Sequence, residues 1–216
     1  MRRLCGVLAG VVLAAGSLVV VDALPVLSTG AGTATESITI GEVGGPGRNY
    51  NCGADTDIVQ ITASASYVVP AGAWSLTSWS TLTGTGDDLT PATLQLEVWR
   101  ATGGPSEYLL VGISPVITTT PPGLNSFALP VPIAVQEGDV LGLRSVGPNP
   151  QYGCQRRAPG SFGSVSGATP TAGDTRTFTK DDGNAECCTL DVTATLERPL
   201  PTLAPVAVPA APKFTG

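Results

Sequence analysis

At 216 residues the chain has room for one domain with extensions, and a hydrophobic content of 42 % excludes a disordered one. Its 17 acidic against 11 basic side chains give a net charge of −6, which excludes nucleic-acid binding or membrane adhesion through a basic patch. There is no histidine, so the Ser-His-Asp and Cys-His mechanisms in their usual form are excluded and the commonest metal ligand is missing.

Met1-Arg2-Arg3 opens the chain with positive charge, and residues from Leu4 to Val21 carry none. Val21-Asp22-Ala23 then offers small or apolar residues at the −3 and −1 positions of a cleavage site, and Thr29-Gly30-Ala31 offers a second. This layout predicts a secretory signal peptide over residues 1–23, forming a signal helix, with Cys5 inside it. Export follows, either to the medium or to the cell surface, with no membrane contact beyond the leader. Residues 24–36 read as a flexible linker.

From residue 37 onward apolar residues recur with period two, and helical spacing is not sustained. The predicted strands are Ser37–Glu42, Asp57–Ala63, Trp74–Thr81, Thr93–Ala101, Tyr108–Ser114, Asn125–Val131, Asp139–Ser145, Thr175–Lys180 and Thr189–Glu197. Gly/Pro groups such as Gly44-Gly45-Pro46-Gly47 and Pro121-Pro122-Gly123 punctuate them. In Thr93–Ala101, Leu94, Leu96 and Val98 face one way and Gln95, Glu97 and Trp99 the other. That alternation predicts one buried face and one mostly wet. The expected fold is all-β, a two-sheet antiparallel jelly-roll-like β-sandwich over residues 37–198. Asp139, in Glu137-Gly138-Asp139, reads as a turn residue between two strands.

Several strings in this body carry a resemblance. Tyr67-Val68-Val69-Pro70-Ala71-Gly72 leads into Trp74-Ser75-Leu76-Thr77-Ser78-Trp79. Asn125-Ser126-Phe127-Ala128-Leu129 and Val135-Gln136-Glu137-Gly138-Asp139-Val140-Leu141-Gly142-Leu143 follow, and Thr193-Ala194-Thr195-Leu196-Glu197 forms the last strand. Together they resemble the β-sandwich domain of uncharacterised secreted actinobacterial proteins, over about the middle two-thirds of the chain. The resemblance implies a fold and brings no catalytic residues with it.

Beyond the leader stand Cys52, Cys154, Cys187 and Cys188, an even number that in an exported chain implies disulfides. A bridge between neighbours needs a strained eight-membered ring. The expectation is therefore that one of Cys187 and Cys188 joins Cys52 and the other Cys154, each bridge contributing about 2–4 kcal/mol. Adjacent cysteines do not have the Cys-x-x-Cys spacing of zinc or thioredoxin motifs.

Without histidine, catalysis would rest on carboxylates, as in glycoside hydrolysis. Glu97, Glu107, Asp55, Asp57 and Asp191 are the candidates, but no Glu-x-Asp-x-x-Glu arrangement of a sandwich glycosidase is present. The expectation is a chain that is not an enzyme. Asp87-Asp88 and Asp181-Asp182-Gly183, with Asp55/Asp57, are loop clusters of the kind that could hold a structural Ca²⁺, although aspartates in loops more often shape turns. Trp79 and Trp99 would stack on sugar rings if they face outward; a bulge at Thr77-Ser78 would instead turn Trp79 inward. The primary expectation is a structural or interaction domain acting on a glycan or another surface protein. The alternative is a carbohydrate-binding module using those two indoles.

From Pro199 to the end the chain is Pro/Ala-rich, with prolines at 199, 201, 205, 209 and 212. This predicts an extended spacer or disordered tail over 199–216.

Overall fold

The computed structural model describes residues 34–44, 48–63, 67–83, 90–120, 122–148, 152–156, 160–180 and 187–200. The expected leader, most of the linker and tail, and the calcium candidates Asp87, Asp88, Asp181 and Asp182 lie outside them.

Every element among the described residues is a strand. In chain order they are β1 (Thr35–Glu42), β2 (Arg48–Asn51), β3 (Thr56–Ala63), β4 (Ala73–Thr83), β5 (Thr93–Ala101), β6 (Glu107–Ile113), β7 (Ile117–Thr118) and β8 (Gly123–Gln136). They continue with β9 (Val140–Ser145), β10 (Tyr152–Arg156), β11 (Gly160–Ser166), β12 (Thr175–Thr177), β13 (Thr179–Lys180), β14 (Cys187–Leu190) and β15 (Val192–Pro199). All pairings between these strands are antiparallel. β1 begins inside the expected linker, because Thr35 and Glu36 already pair with Pro199 and Arg198.

A four-stranded sheet has the order β1-β15-β4-β8. A larger sheet runs β12-β6-β5-β9-β3-β11-β13, with β7 added on β5, and a small third sheet runs β14-β10-β2. The first two enclose one apolar core. Trp74, Leu76, Trp79, Val192 and Leu196 enter it from the four-stranded sheet, and Ile58, Leu94, Leu96, Leu141 and Leu143 from the larger one.

The larger sheet does not lie open. β12 pairs with β6 and β13 pairs with β11, yet only Phe178 separates β12 from β13. One residue spans at most about 3.6 Å, so the two ends of the strand order are one continuous segment. The sheet therefore closes on itself, as a barrel does. Its inside is a second core of Val59, Trp99, Leu110 and Phe178. Close approach inside is served by glycine: a Cβ on Gly163 would come within 2.8 Å of Phe178.

This closure corrects the reading of β5. Its second face was expected to be mostly wet, but Gln95, Glu97 and Trp99 are buried, as Leu94, Leu96 and Val98 are. They line the inside of the closed sheet.

β8 shows how a proline-containing segment can still be a strand. It is an edge strand, and its pairing with β4 lapses between Ala128 and Ile133, across Pro130 and Pro132. An edge position and a bulge are the two places where a missing N–H costs no ladder bond.

Candidate functional site

Of the carboxylate candidates, the fold brings Asp55, Asp57 and Glu97 together. Asp57 stands on β3 and Glu97 on β5, with β9 between them. In the antiparallel register Asp57 lies opposite Arg144, and Arg144 opposite Gln95. Their side chains meet inside the closed sheet. Asp57 Oδ1 accepts from Arg144 Nη1, and Asp57 Oδ2 is 2.8 Å from Arg176 Nη1, contributed by β12. Arg144 also lies 3.8 Å from Asp55 Oδ1 and donates to the Gly167 carbonyl at 2.8 Å.

Glu97 has no guanidinium of its own. Trp99 Nε1 donates to its Oε2 at 2.9 Å, while Oε1 meets no donor of regular geometry among the described residues. Its other neighbour is the Asp57 carboxylate. Burial first, and then the Asp57 charge, push the Glu97 carboxyl well above the usual carboxylate range. Burial also raises Asp57, against the pull of Arg144 and Arg176. One proton held by Glu97 and donated to Asp57 answers both needs: Oε1 becomes a donor, and two like charges no longer face each other.

Glu97 and Asp57 are each 0 % exposed and do not line an open cleft. The expectation that Glu97 is a solvated surface carboxylate is corrected by the closure of the sheet. The remaining candidates stand apart. Glu107 accepts from Thr102 at a turn, and Asp191 Oδ1 accepts the Gly44 amide at 2.9 Å. At the Asp55/Asp57 cluster both carboxylates face guanidinium groups, Arg144 against the two of them and Arg176 against Asp57.

Both tryptophans that the carbohydrate-binding alternative would use are buried, Trp79 to 1 % and Trp99 to 0 % exposure. The β4 register shifts between Leu76 and Ser78, so the bulge puts Leu76 and Trp79 on the same, inner face. There Trp79 packs on Phe127 at 5.0 Å between ring centroids. Trp99 meets Phe178 edge-on at 4.9 Å inside the closed sheet. Neither offers a face to a glycan, so the two-indole platform is corrected.

Asp139 is the turn residue expected. It exchanges backbone and side-chain bonds with Gln136 around Gly138. Sequence reasoning missed its partner: Arg100 grips both Asp139 oxygens, at 2.7 and 2.9 Å. It also missed Arg144, which follows Leu143 in an apolar strand, and Arg176, which stands between two threonines two residues before Phe178.

Cys52 is buried and disulfide-bonded. The small sheet gathers the other three cysteines: Cys154 on β10 pairs with Tyr50 on β2 and Leu190 on β14, and Cys187 pairs with Arg156.

The outward face of the four-stranded sheet carries small hydroxyl residues in rows across the strands, beside an apolar pair of Leu82 and the exposed Leu124. One row is Gly41, Thr193, Ser80 and Ser126; the next is Thr39, Thr195, Ser78 and Ala128; a third is Ser37, Glu197, Ser75 and Ala134. Ser80 and Ser126 hydrogen-bond each other at 2.8 Å.

Comparison with protein-family models, curated proteins and solved structures finds no match for this chain.

Proposed function

We propose that the chain is an exported, non-enzymatic β-sandwich domain, jelly-roll-like in plan, that acts as a structural or interaction module at the cell surface or outside it. The leader-like first 23 residues and the Pro/Ala-rich last 18 support export and tethering. The resemblance to secreted actinobacterial β-sandwich domains points the same way. The observation that carries the reading is where the charge lies. Asp57, Glu97 and Arg144 are sealed inside the closed sheet, whereas the outward face of the four-stranded sheet presents rows of hydroxyls with Glu197 as their one charge.

That face suits a hydroxyl-rich partner, a glycan or another surface protein, because closely spaced Ser and Thr both donate and accept. The test is retention of the purified domain on cell-envelope fractions and on a panel of polysaccharides, with Thr195→Lys and Ser80→Lys as probes. Retention that both lysines abolish, with the melting temperature unchanged, supports the reading. Retention by neither matrix, or retention indifferent to both substitutions, refutes the assignment of this face.

A further inference from the structure

The larger sheet is shut by its most lightly held piece. The segment Thr175–Lys180 pairs through three residues with β6 and through two with β11. Its threonines and Lys180 are exposed. The strands that carry the buried charges are held differently: β3, β5 and β9 are each paired on both sides. Local opening begins where ladder bonds and buried contacts are fewest. A change that disfavours the closed interior is therefore relieved at Thr175–Lys180 first.

Two side chains fasten this segment from inside. Phe178 is buried against Trp99 and Tyr108, and its amide donates to the Ser106 carbonyl at 2.8 Å. Arg176 reaches Asp57 Oδ2 at 2.8 Å and also donates to the Ala168 carbonyl. Asp57 is thus the catch for the segment, and it is the same carboxylate that Glu97 faces. The other ionisable groups on the strands of the closed sheet are engaged elsewhere. Arg144 is on Asp57 and near Asp55, Arg100 is on Asp139, Glu107 accepts from Thr102, and Lys180 is exposed. β11 carries no ionisable residue. Ionising Glu97 would set a second negative charge against Asp57, with Trp99 Nε1 as its own donor.

We propose that Thr175–Lys180 is a proton-controlled strap, which shuts the larger sheet while Glu97 carries its proton and lifts from β6 and β11 when that proton passes to water. Lifting lets water reach Glu97 and Asp57, frees Arg176 into solvent and uncovers Trp99. The sign follows from which state holds the proton. The closed sheet keeps Glu97 protonated, whereas an opened one returns it to the ordinary value of about 4.3. The closed state then binds one proton more, so closure is strongest below that value and weakens as pH rises. Between the ordinary and the closed-state value, the open fraction grows about tenfold for each pH unit, and above the closed-state value it levels off. The strap is the two-state element and Glu97 the group that biases it, the usual parts of a pH switch.

The experiment is native-state hydrogen exchange of the full chain from about pH 5 upward, each amide referred to its intrinsic rate at that pH. Residues 175–180 report the strap, and residues 193–197 of β15, in the other sheet, report global unfolding. Protection of the strap should fall by about tenfold per pH unit and then level off, while that of β15 falls less. In Glu97→Gln, which has no proton to lose, strap protection should not change with pH. In Arg176→Gln, which removes the catch, it should be low at every pH with β15 still protected. Strap protection that is flat with pH in the parent chain, or that falls in step with β15, would overturn the proposal. So would a pH dependence that survives in Glu97→Gln, or strap protection unchanged in Arg176→Gln. The parent chain alone supplies the first two outcomes, so the test stands even where a variant fails to fold.

Discussion

Glu97→Gln and Asp57→Asn test the buried carboxyl pair by opposite outcomes. If Glu97 holds a proton, glutamine reproduces it closely: the amide keeps an acceptor for Trp99 Nε1 and a donor toward Asp57. The change should then cost no more than about 1 kcal/mol at low pH, the scale of one neutral hydrogen bond. Asp57 is different, because Arg144 is 1 % exposed and Arg176 17 %, and both rest on its carboxylate. Removing that charge leaves guanidinium groups uncompensated inside the protein, which costs about 3–5 kcal/mol. The pH dependence sharpens the contrast. The folded Glu97 carboxyl titrates above its unfolded value of about 4.3. Its contribution to stability is thus fully present below that value and is lost as pH rises through the folded value, where the folded state binds more protons than the unfolded one. Glutamine has no proton to lose. Relative to the parent chain, Glu97→Gln should gain stability as pH rises from about 4 toward neutrality. Urea unfolding across that pH range, followed by fluorescence of the buried tryptophans, reads both effects. A Glu97→Gln loss as large as that of Asp57→Asn, independent of pH, would refute the shared proton and mean that Glu97 is ionised.

Phe178→Ala should unseat the segment that closes the larger sheet, because Phe178 packs edge-on against both Trp99 and Tyr108; the expected loss is about 3–5 kcal/mol, measured by urea unfolding. Gly142→Ala would bring a Cβ within 2.6 Å of the Ile58 carbonyl and the Trp99 ring, so a lower melting temperature is expected, at a cost of about 1–3 kcal/mol. Trp79→Ala should destabilise by a similar amount to Phe178→Ala, whereas retention on any polysaccharide, normalised to folded protein, should be unchanged because its ring is buried against Phe127. Asp139→Ala should raise hydrogen exchange in the turn from Gln136 to Val140, as the Arg100 fork and the Gln136 amide lose their acceptor.

The legible strands were those with sustained alternation and turn residues at both ends. Thr93–Ala101 matches β5 at both ends, and Ser37–Glu42 lies within β1. β11 was illegible because its sequence is GSFGSVS: the glycine at 163 makes room for Phe178, so the feature that lets it pack also hides it. β2 and β10 are short and lack an apolar alternation. The segment Thr189–Glu197 read as one strand, but the chain changes sheets at Asp191, whose buried carboxylate takes the Gly44 amide. Period-two patterning says which residues share a face. It does not say what covers that face, so the closure of the larger sheet, and with it the burial of Glu97 and Trp99, could not be read from β5 alone. The bulge that turns Trp79 inward was legible as an alternative, because Thr77-Ser78 interrupts an apolar alternation at that step.

The proposed role depends first on where the chain acts, and the most direct measurement is the position and N-terminus of the protein made in cells from its full coding sequence. Fractionation followed by N-terminal sequencing should find it outside the cytosol, beginning at Leu24 after removal of residues 1–23, with its remaining cysteines oxidised. A full-length chain in the cytosol starting at Met1, with reduced thiols, would contradict the account.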